Sequence, residues 1–470
     1  MNRFSCGLLL TLALFTSACG TGEVEGPEGT EGILSQPAEL GSQPAPLWLR
    51  HEVLPLSEFA GGAATNGAGG IFTAATHGIT NDYSPIGEGG LQLRVSRFAP
   101  DGHRLWVRTF PVVGIDRPIP DLSGSIQAKL AYGAGGIYLL GTVFGEVRFG
   151  TSTVRDASFL ARLDADGHPI WVRKLGAGDE PTALASDTAG NVYLGLRSQR
   201  DATEGSCALT EGVIWSLTSF NSTRWRRSIG GRQCGGDRAD ILALSVGPQG
   251  QLLVGGSFSG TLQFASGDVP APTGQSIPFL GVLSPSAELR WFRSLPTTSG
   301  SITDIGGSAL GTVVAVGVHR AHEAGSTGQI SWGSDRLLAN DNIDRGFLLV
   351  AEPNGAARWG RDLDHLDAPV LAVEPLGSAV VSGVTRAGNE NDPRLFATRY
   401  NLAGQHLWTR EFPRGNGPAD LYTDAVVRTL DAPDSQGDAF LFGQLSHPAD
   451  FGTGERVPVK TDLFLLRLQH

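Results

Sequence analysis

Few side chains in this 470-residue sequence have types and spacings that invite chemistry. His319-Arg-Ala-His322 is the one close histidine pair. Two imidazoles at that interval can share a metal, but the glutamate that a zinc-protease helix places between them is absent, and the pair reads as part of a surface loop. Asp164-Ala-Asp-Gly167 and Asn340-Asp-Asn-Ile-Asp344 are short acidic stretches of the calcium-loop type. Neither completes an EF-hand spacing, and both read as turns. There is no Gly-x-Ser-x-Gly elbow, no glycine-rich phosphate loop between strand and helix, and no local carboxylate pair. No catalytic, metal or cofactor residue is therefore assigned. Cys207 and Cys234 are the only cysteines in the body of the chain. A disulfide closing the segment between them contributes roughly 3 kcal/mol and is favoured over metal binding, because no histidine or further cysteine sits beside them at ligand spacing.

A different pattern carries far more information. Trp48, Trp106, Trp171, Trp225, Trp291, Trp359 and Trp408 are each followed two residues later by arginine: Arg50, Arg108, Arg173, Arg227, Arg293, Arg361 and Arg410. Side chains alternate along a strand, so each pair shares a face. A ring of anion-binding arginines is one reading. Recurrence in every unit favours packing between neighbouring units, with the arginine stacked on the tryptophan or paired to a turn carboxylate.

The elements that position these pairs follow. Four residues before six of the tryptophans stands a turn residue, Gly102, Gly167, Asn221, Ala287, Gly355 or Gly404, preceded by an apolar run such as Phe347-Leu-Leu-Val350. That is a β-hairpin, with the tryptophan on its second arm. Between hairpins comes a turn followed by a buried run that ends in a small residue, as in Gly136-Ile-Tyr-Leu-Leu-Gly141 or Gly311-Thr-Val-Val-Ala-Val-Gly317. There are seven such units, each with four strands, and tandem four-stranded units of this kind make a β-propeller. Trp48 lacks a first arm, while the chain finishes in the lone arm Leu463-Phe-Leu-Leu-Arg-Leu468. Pairing these two completes the seventh hairpin and removes the exposed edges of an open array. The expectation is an all-β, seven-bladed, ring-closed propeller over residues 46–470.

Phe159-Leu-Ala-Arg-Leu-Asp-Ala-Asp-Gly167 followed by Trp171, with Gly190-Asn-Val-Tyr193 beyond, resembles the β-propeller repeats of secreted and surface bacterial lipoproteins. A weaker likeness is to quinoprotein-type repeats. Here the interval from Asp164 to Gly167 is a residue short and the threonine is missing, which counts against a quinone cofactor.

The N-terminus reads as an address. Met1-Asn-Arg3 is followed by the apolar run Gly7–Phe15 and by Thr16-Ser-Ala-Cys19, which resembles the lipobox of bacterial lipoproteins. The resemblance implies a signal peptide over 1–18 and a lipid on Cys19, and Gly20 in place of aspartate implies the outer membrane or cell surface. Residues 19–45, rich in Gly, Pro and Glu, read as a flexible acidic tether. A net charge of −11 excludes a nucleic-acid partner, which demands a basic face. The expected function is an extracytoplasmic binding or scaffolding module that takes a protein or glycan ligand on its loop-rich face. Tyr83, Trp332 and Tyr422 are the loop aromatics placed to meet it. The alternatives are a carbohydrate-active or other hydrolytic propeller, whose carboxylates converge at the channel, and a quinoprotein-type dehydrogenase.

Overall fold

The structure is a computed structural model that describes residues 46–469 except 53–56, 80–90, 115–127, 202–207, 231–236, 265–266, 272–273, 296–298, 321–327, 340–343, 364–365, 386–393, 414–425, 432–437 and 460. Among the described residues there is no helix, and the strands group into seven four-stranded antiparallel blades. Blade 1 consists of Ser57–Thr65, Ile71–Ile79, Leu91–Phe98 and Arg104–Val113, running from inner to outer strand. Blade 2 runs from Lys129–Gly133 through Gly136–Phe149 and Ser152–Asp164 to Pro169–Lys174, and blades 3 to 6 repeat the order.

Blade 7 takes strands from both ends of the chain. Its order is Val426–Asp431, Ala439–Leu445, Asp462–Leu468 and finally Pro46–Glu52. The last two pair antiparallel, with Trp48 opposite Arg467 and Arg50 opposite Leu465. Inner strands of neighbouring blades touch in sequence around the molecule, and the inner strand of blade 7 meets that of blade 1, so the ring is closed. Closure gives the strand at the C-terminal end a partner on each side and leaves Pro46–Glu52 as the outer strand of the blade.

The local chemistry of the turns explains why the blades form. All six residues expected to turn the outer hairpins have positive φ: Gly102 at 79°, Gly167 at 80°, Asn221 at 66°, Ala287 at 68°, Gly355 at 82° and Gly404 at 81°. Only Ala287 bears an ordinary side chain there, in a region that favours Gly and Asn. The second strand of each blade is the buried apolar run expected of it. In blade 5 it is Val313–Arg320, whose Val313, Val314, Ala315 and Val316 are all buried between neighbouring sheets.

The segments between second and third strands depart from expectation. Instead of plain loops, blades 4, 5 and 7 insert small hairpins: Thr261–Gln263 with Asp268–Pro270, Gly328–Trp332 with Asp335–Ala339, and Ala449–Asp450 with Glu455–Arg456. In blade 2 the two strands themselves run on past a bulge between Val143 and Glu146. Each insert buries an aromatic side chain, Phe149, Phe264, Trp332 or Phe451. Trp332 is thus no ligand-facing loop residue: it is buried, and its indole Nε1 donates to the Val350 carbonyl at 2.9 Å. His319 also leaves the surface loop expected for it. It lies on the second strand of blade 5, fully buried, with its ring edge-on to Phe347 and Nε2 3.8 Å from Asp362.

Candidate functional site at the closing seam

The tryptophan and arginine pairs lie on the outer strands and reach across to the next blade. Trp48 Nε1 donates to the Pro100 carbonyl at 2.9 Å, Trp106 to Ala165 at 3.2 Å, Trp171 to Ser219 at 2.9 Å and Trp225 to Pro285 at 3.0 Å. Trp291 donates to Pro353 at 3.0 Å and Trp359 to Leu402 at 2.9 Å. Every acceptor is in the outer turn of the following blade. The arginines bind the same turns one or two residues further along: Arg50 to Gly102 O at 2.6 Å, Arg108 to Asp166 O at 3.0 Å, Arg173 to Asn221 O at 2.5 Å and Arg293 to Gly355 O at 3.0 Å. Arg227 donates to Ala287 O, and Arg361 to Gly404 O at 3.3 Å.

The acceptors are thus backbone carbonyls where a turn carboxylate was anticipated. Stacking of the arginine on its own tryptophan occurs at Arg108 and Arg361. A Cβ on Gly102, Gly355 or Gly404 would fall within 2.8 Å of the ring of Trp48, Trp291 or Trp359, so each turn is sealed under the indole of the preceding blade. Trp408 is the exception. Blade 7 has no outer turn, because its outer hairpin is divided between the chain ends, and the buried Trp408 Nε1 has no hydrogen-bond partner among the described residues. Arg410 donates instead to Phe451 O in the insert of blade 7.

These contacts are the same in blade after blade, and a site is to be sought where the repeat changes. Four residues after each tryptophan stands a buried apolar residue: Phe110, Leu175, Ile229, Leu295, Leu363 and Phe412. After Trp48 that place is taken by Glu52. On the third strands, the residue paired with the small residue of the second strand is Phe159, Ile214, Leu280, Phe347, Phe396 or Phe464, all buried. In blade 1 the same place, opposite Ala75, holds Arg94. The two substitutions face one another across the junction of blades 7 and 1, where the ring closes. At two of the other junctions these layers meet through aromatic rings. Phe110 lies 4.8 Å from Phe149, which lies 5.2 Å from Phe159, and Phe412, Phe451 and Phe464 form a second such run.

Charged groups gather at the seam. Arg94 donates to Glu58 Oε1 at 2.7 Å and lies 3.8 Å from Glu52, which also pairs with Arg104 at 2.9 Å. Glu58 sits fully buried on the inner strand of blade 1, with His77 Nδ1 3.6 Å away. Its second oxygen, Oε2, has no hydrogen-bond partner among the described residues. Burial pushes the Glu58 carboxyl above its ordinary value, His77 and Arg94 pull it back down, and Glu52 adds a smaller upward push. His51 meets the buried Asp462 at 3.0 Å, and Glu58 N donates to Thr461 O, tying blade 1 to the closing strand.

Beside this network an open cavity of about 520 Å³ is lined by Arg50, His51, Glu52, Arg94, Phe98, Gly102, His103 and Arg104. Four of these also line a smaller, less open cavity of about 10 Å³, room for about one water. The sequence contained the signal for this site, a charge at two positions where every other repeat is apolar. Reading it required the repeats to be aligned residue by residue.

Cys19, Cys207, Cys234, His322, Tyr83 and Tyr422 lie outside the described residues. Asp164 caps its turn by accepting from the Asp166 and His168 amides, as expected of a turn residue. Among the described residues no group of three His, Cys, Asp or Glu side chains is placed to hold a metal ion.

The strand pairing and the closed ring make this chain a β-propeller. No protein-family model and no curated protein matches the chain. Among solved structures it is similar to hydrazine synthase of Kuenenia stuttgartiensis, at 10% identity over 91% of this chain and 98% of that one, with a TM-score of 0.44. It is also similar to the Dos1 propeller, at 10% identity over 90% and 94%, TM-score 0.43. The Neurospora crassa Pan2 WD40 domain is a third, at 10% identity over 86% and 88%, TM-score 0.42.

Proposed function

We propose that this chain is an extracytoplasmic, lipid-anchored propeller that works as a binding or scaffolding module, with its ligand site at the seam between blades 7 and 1. The observation that carries the site is the break in repeat symmetry: two core positions become Glu52 and Arg94 there, beside an open polar cavity. A structural position repeated seven times is filled alike when only packing constrains it. Exchanging an apolar contact for a partly buried ion pair gains little stability, since desolvation offsets the attraction. Such an exchange is expected where a ligand needs the charge. The anchor rests on Thr16-Ser-Ala-Cys19 and the apolar run before it.

The test uses the mature chain immobilised against membrane and extracellular fractions, beside the double variant Glu52→Leu/Arg94→Phe, which restores the apolar pattern of the other blades. A partner held by the native chain and lost by the variant is the expected result. Retention of nothing beyond the bare support, or of the same partners by both, overturns the reading. Intact-mass measurement of the mature protein should begin at a lipid-modified Cys19; an unmodified chain would remove the anchor.

A further inference from the structure

The chemistry of the seam points to the class of ligand, and the inference rests on the reading above for the claim that this cavity is a binding site. Arg50, His51, Arg94, His103 and Arg104 share the cavity wall with one carboxylate, Glu52, in a chain whose net charge is −11. Each guanidinium is fixed by the protein. Arg50 is held through Nε by Gly102 O at 2.6 Å, Arg94 by Glu58 at 2.7 Å and Arg104 by Glu52 at 2.9 Å. Gly102 is the one partner of Arg50 among the described residues, so both its terminal nitrogens remain for a ligand. A guanidinium held in this way has lost its rotamer entropy before a ligand arrives, and its planar fork matches the two oxygens of a carboxylate.

Charge sets the valence. Arg94 is matched by Glu58, Arg104 by Glu52 and His51 by Asp462, whereas Arg50 meets only a carbonyl among the described residues, so one guanidinium is left for a monoanion; a dianionic phosphate would also meet the repulsion of Glu52. The volume, about 520 Å³, falls within the range of small-molecule sites.

We propose that the seam cavity binds a small carboxylate-bearing molecule, with Arg50 and Arg104 gripping its carboxylate and Glu52 acting as the positioning residue for Arg104. The carboxylate belongs either to an acidic sugar or to a simple organic acid.

Calorimetric titration of the mature chain with D-galacturonate, lactate, neutral D-galactose and inorganic phosphate tests this. Saturable binding of a carboxylate probe is expected, with none for galactose, and Arg104→Gln should weaken it about tenfold or more. That variant should melt close to the native protein, since Arg104 forms only a rim ion pair. Galacturonate alone would identify a sugar acid; lactate as well would show that the carboxylate itself is what is read. Failure of both carboxylates to saturate, binding unchanged in Arg104→Gln, or phosphate binding tighter than either would each overturn the inference. If those titrations fail while a captured partner depends on Glu52 and Arg94, the carboxylate assignment falls and the binding function at the seam stands.

Discussion

An indole N–H that leaves water must find an acceptor, and six of the seven repeat tryptophans find one in a neighbouring turn. Trp171→Phe therefore removes a hydrogen bond of about 1 kcal/mol and leaves the Ser219 carbonyl with one partner fewer. Trp408→Phe deletes a buried donor that has no partner among the described residues, so its cost should be smaller. Urea denaturation of the two variants checks the order, and an equal loss would mean that the clasp bonds contribute nothing. Glu58 gives a pH prediction. Its folded pKa is raised above the ordinary 4.5, so the folded state holds the proton longer than the unfolded one. The stability this provides is complete below about pH 4.5 and is lost as pH rises through the folded pKa. Glu58→Gln should flatten that fall, and parallel pH–stability curves for the two proteins would show that Glu58 does not titrate differently on folding.

At the scale of elements, the small inserts between second and third strands hold neighbouring blades together. Phe451 lies 5.4 Å from Phe412 of blade 6 and 5.0 Å from Phe464 of its own blade, and Phe149 bridges Phe110 and Phe159 in the same way. Truncating either ring leaves a void between two sheets that cannot collapse without moving both. Phe451→Ala or Phe149→Ala should cost about 3–5 kcal/mol, against less than about 1 kcal/mol for the exposed insert residue Leu338→Ala. Equal losses in chemical denaturation would place the inserts outside the core.

For the molecule as a whole, stability depends on the noncovalent seam. Strand Asp462–Leu468 pairs on one side with Ala439–Leu445 and on the other with Pro46–Glu52, so it is the only link between the chain ends in blade 7 among the described residues. Removing residues 463–470 exposes two sheet edges and opens the ring, and the truncated chain should lose its cooperative thermal transition. A circular-dichroism melt that matches the full chain would show that the ring survives without its closing strand.

Local and periodic features of this protein were legible in its sequence because each repeat states them again. The positive-φ turns at Gly102 and Gly404, the second strands such as Val313–Arg320 and the split seventh hairpin follow from alternation, turn chemistry and counting. The inserts were missed because their strands are as short as Ala449–Asp450, below the length at which alternation is a signal, and Trp332 and His319 were misplaced with them. Partners across blades were decided only by the tertiary structure. That Arg50 binds Gly102 O, that Glu52 meets Arg94 and Arg104, and that Glu58 is buried beside His77 depend on which surfaces the closing ring presses together. A linear pattern records the face on which a side chain lies, but not the residue that another blade will bring against it.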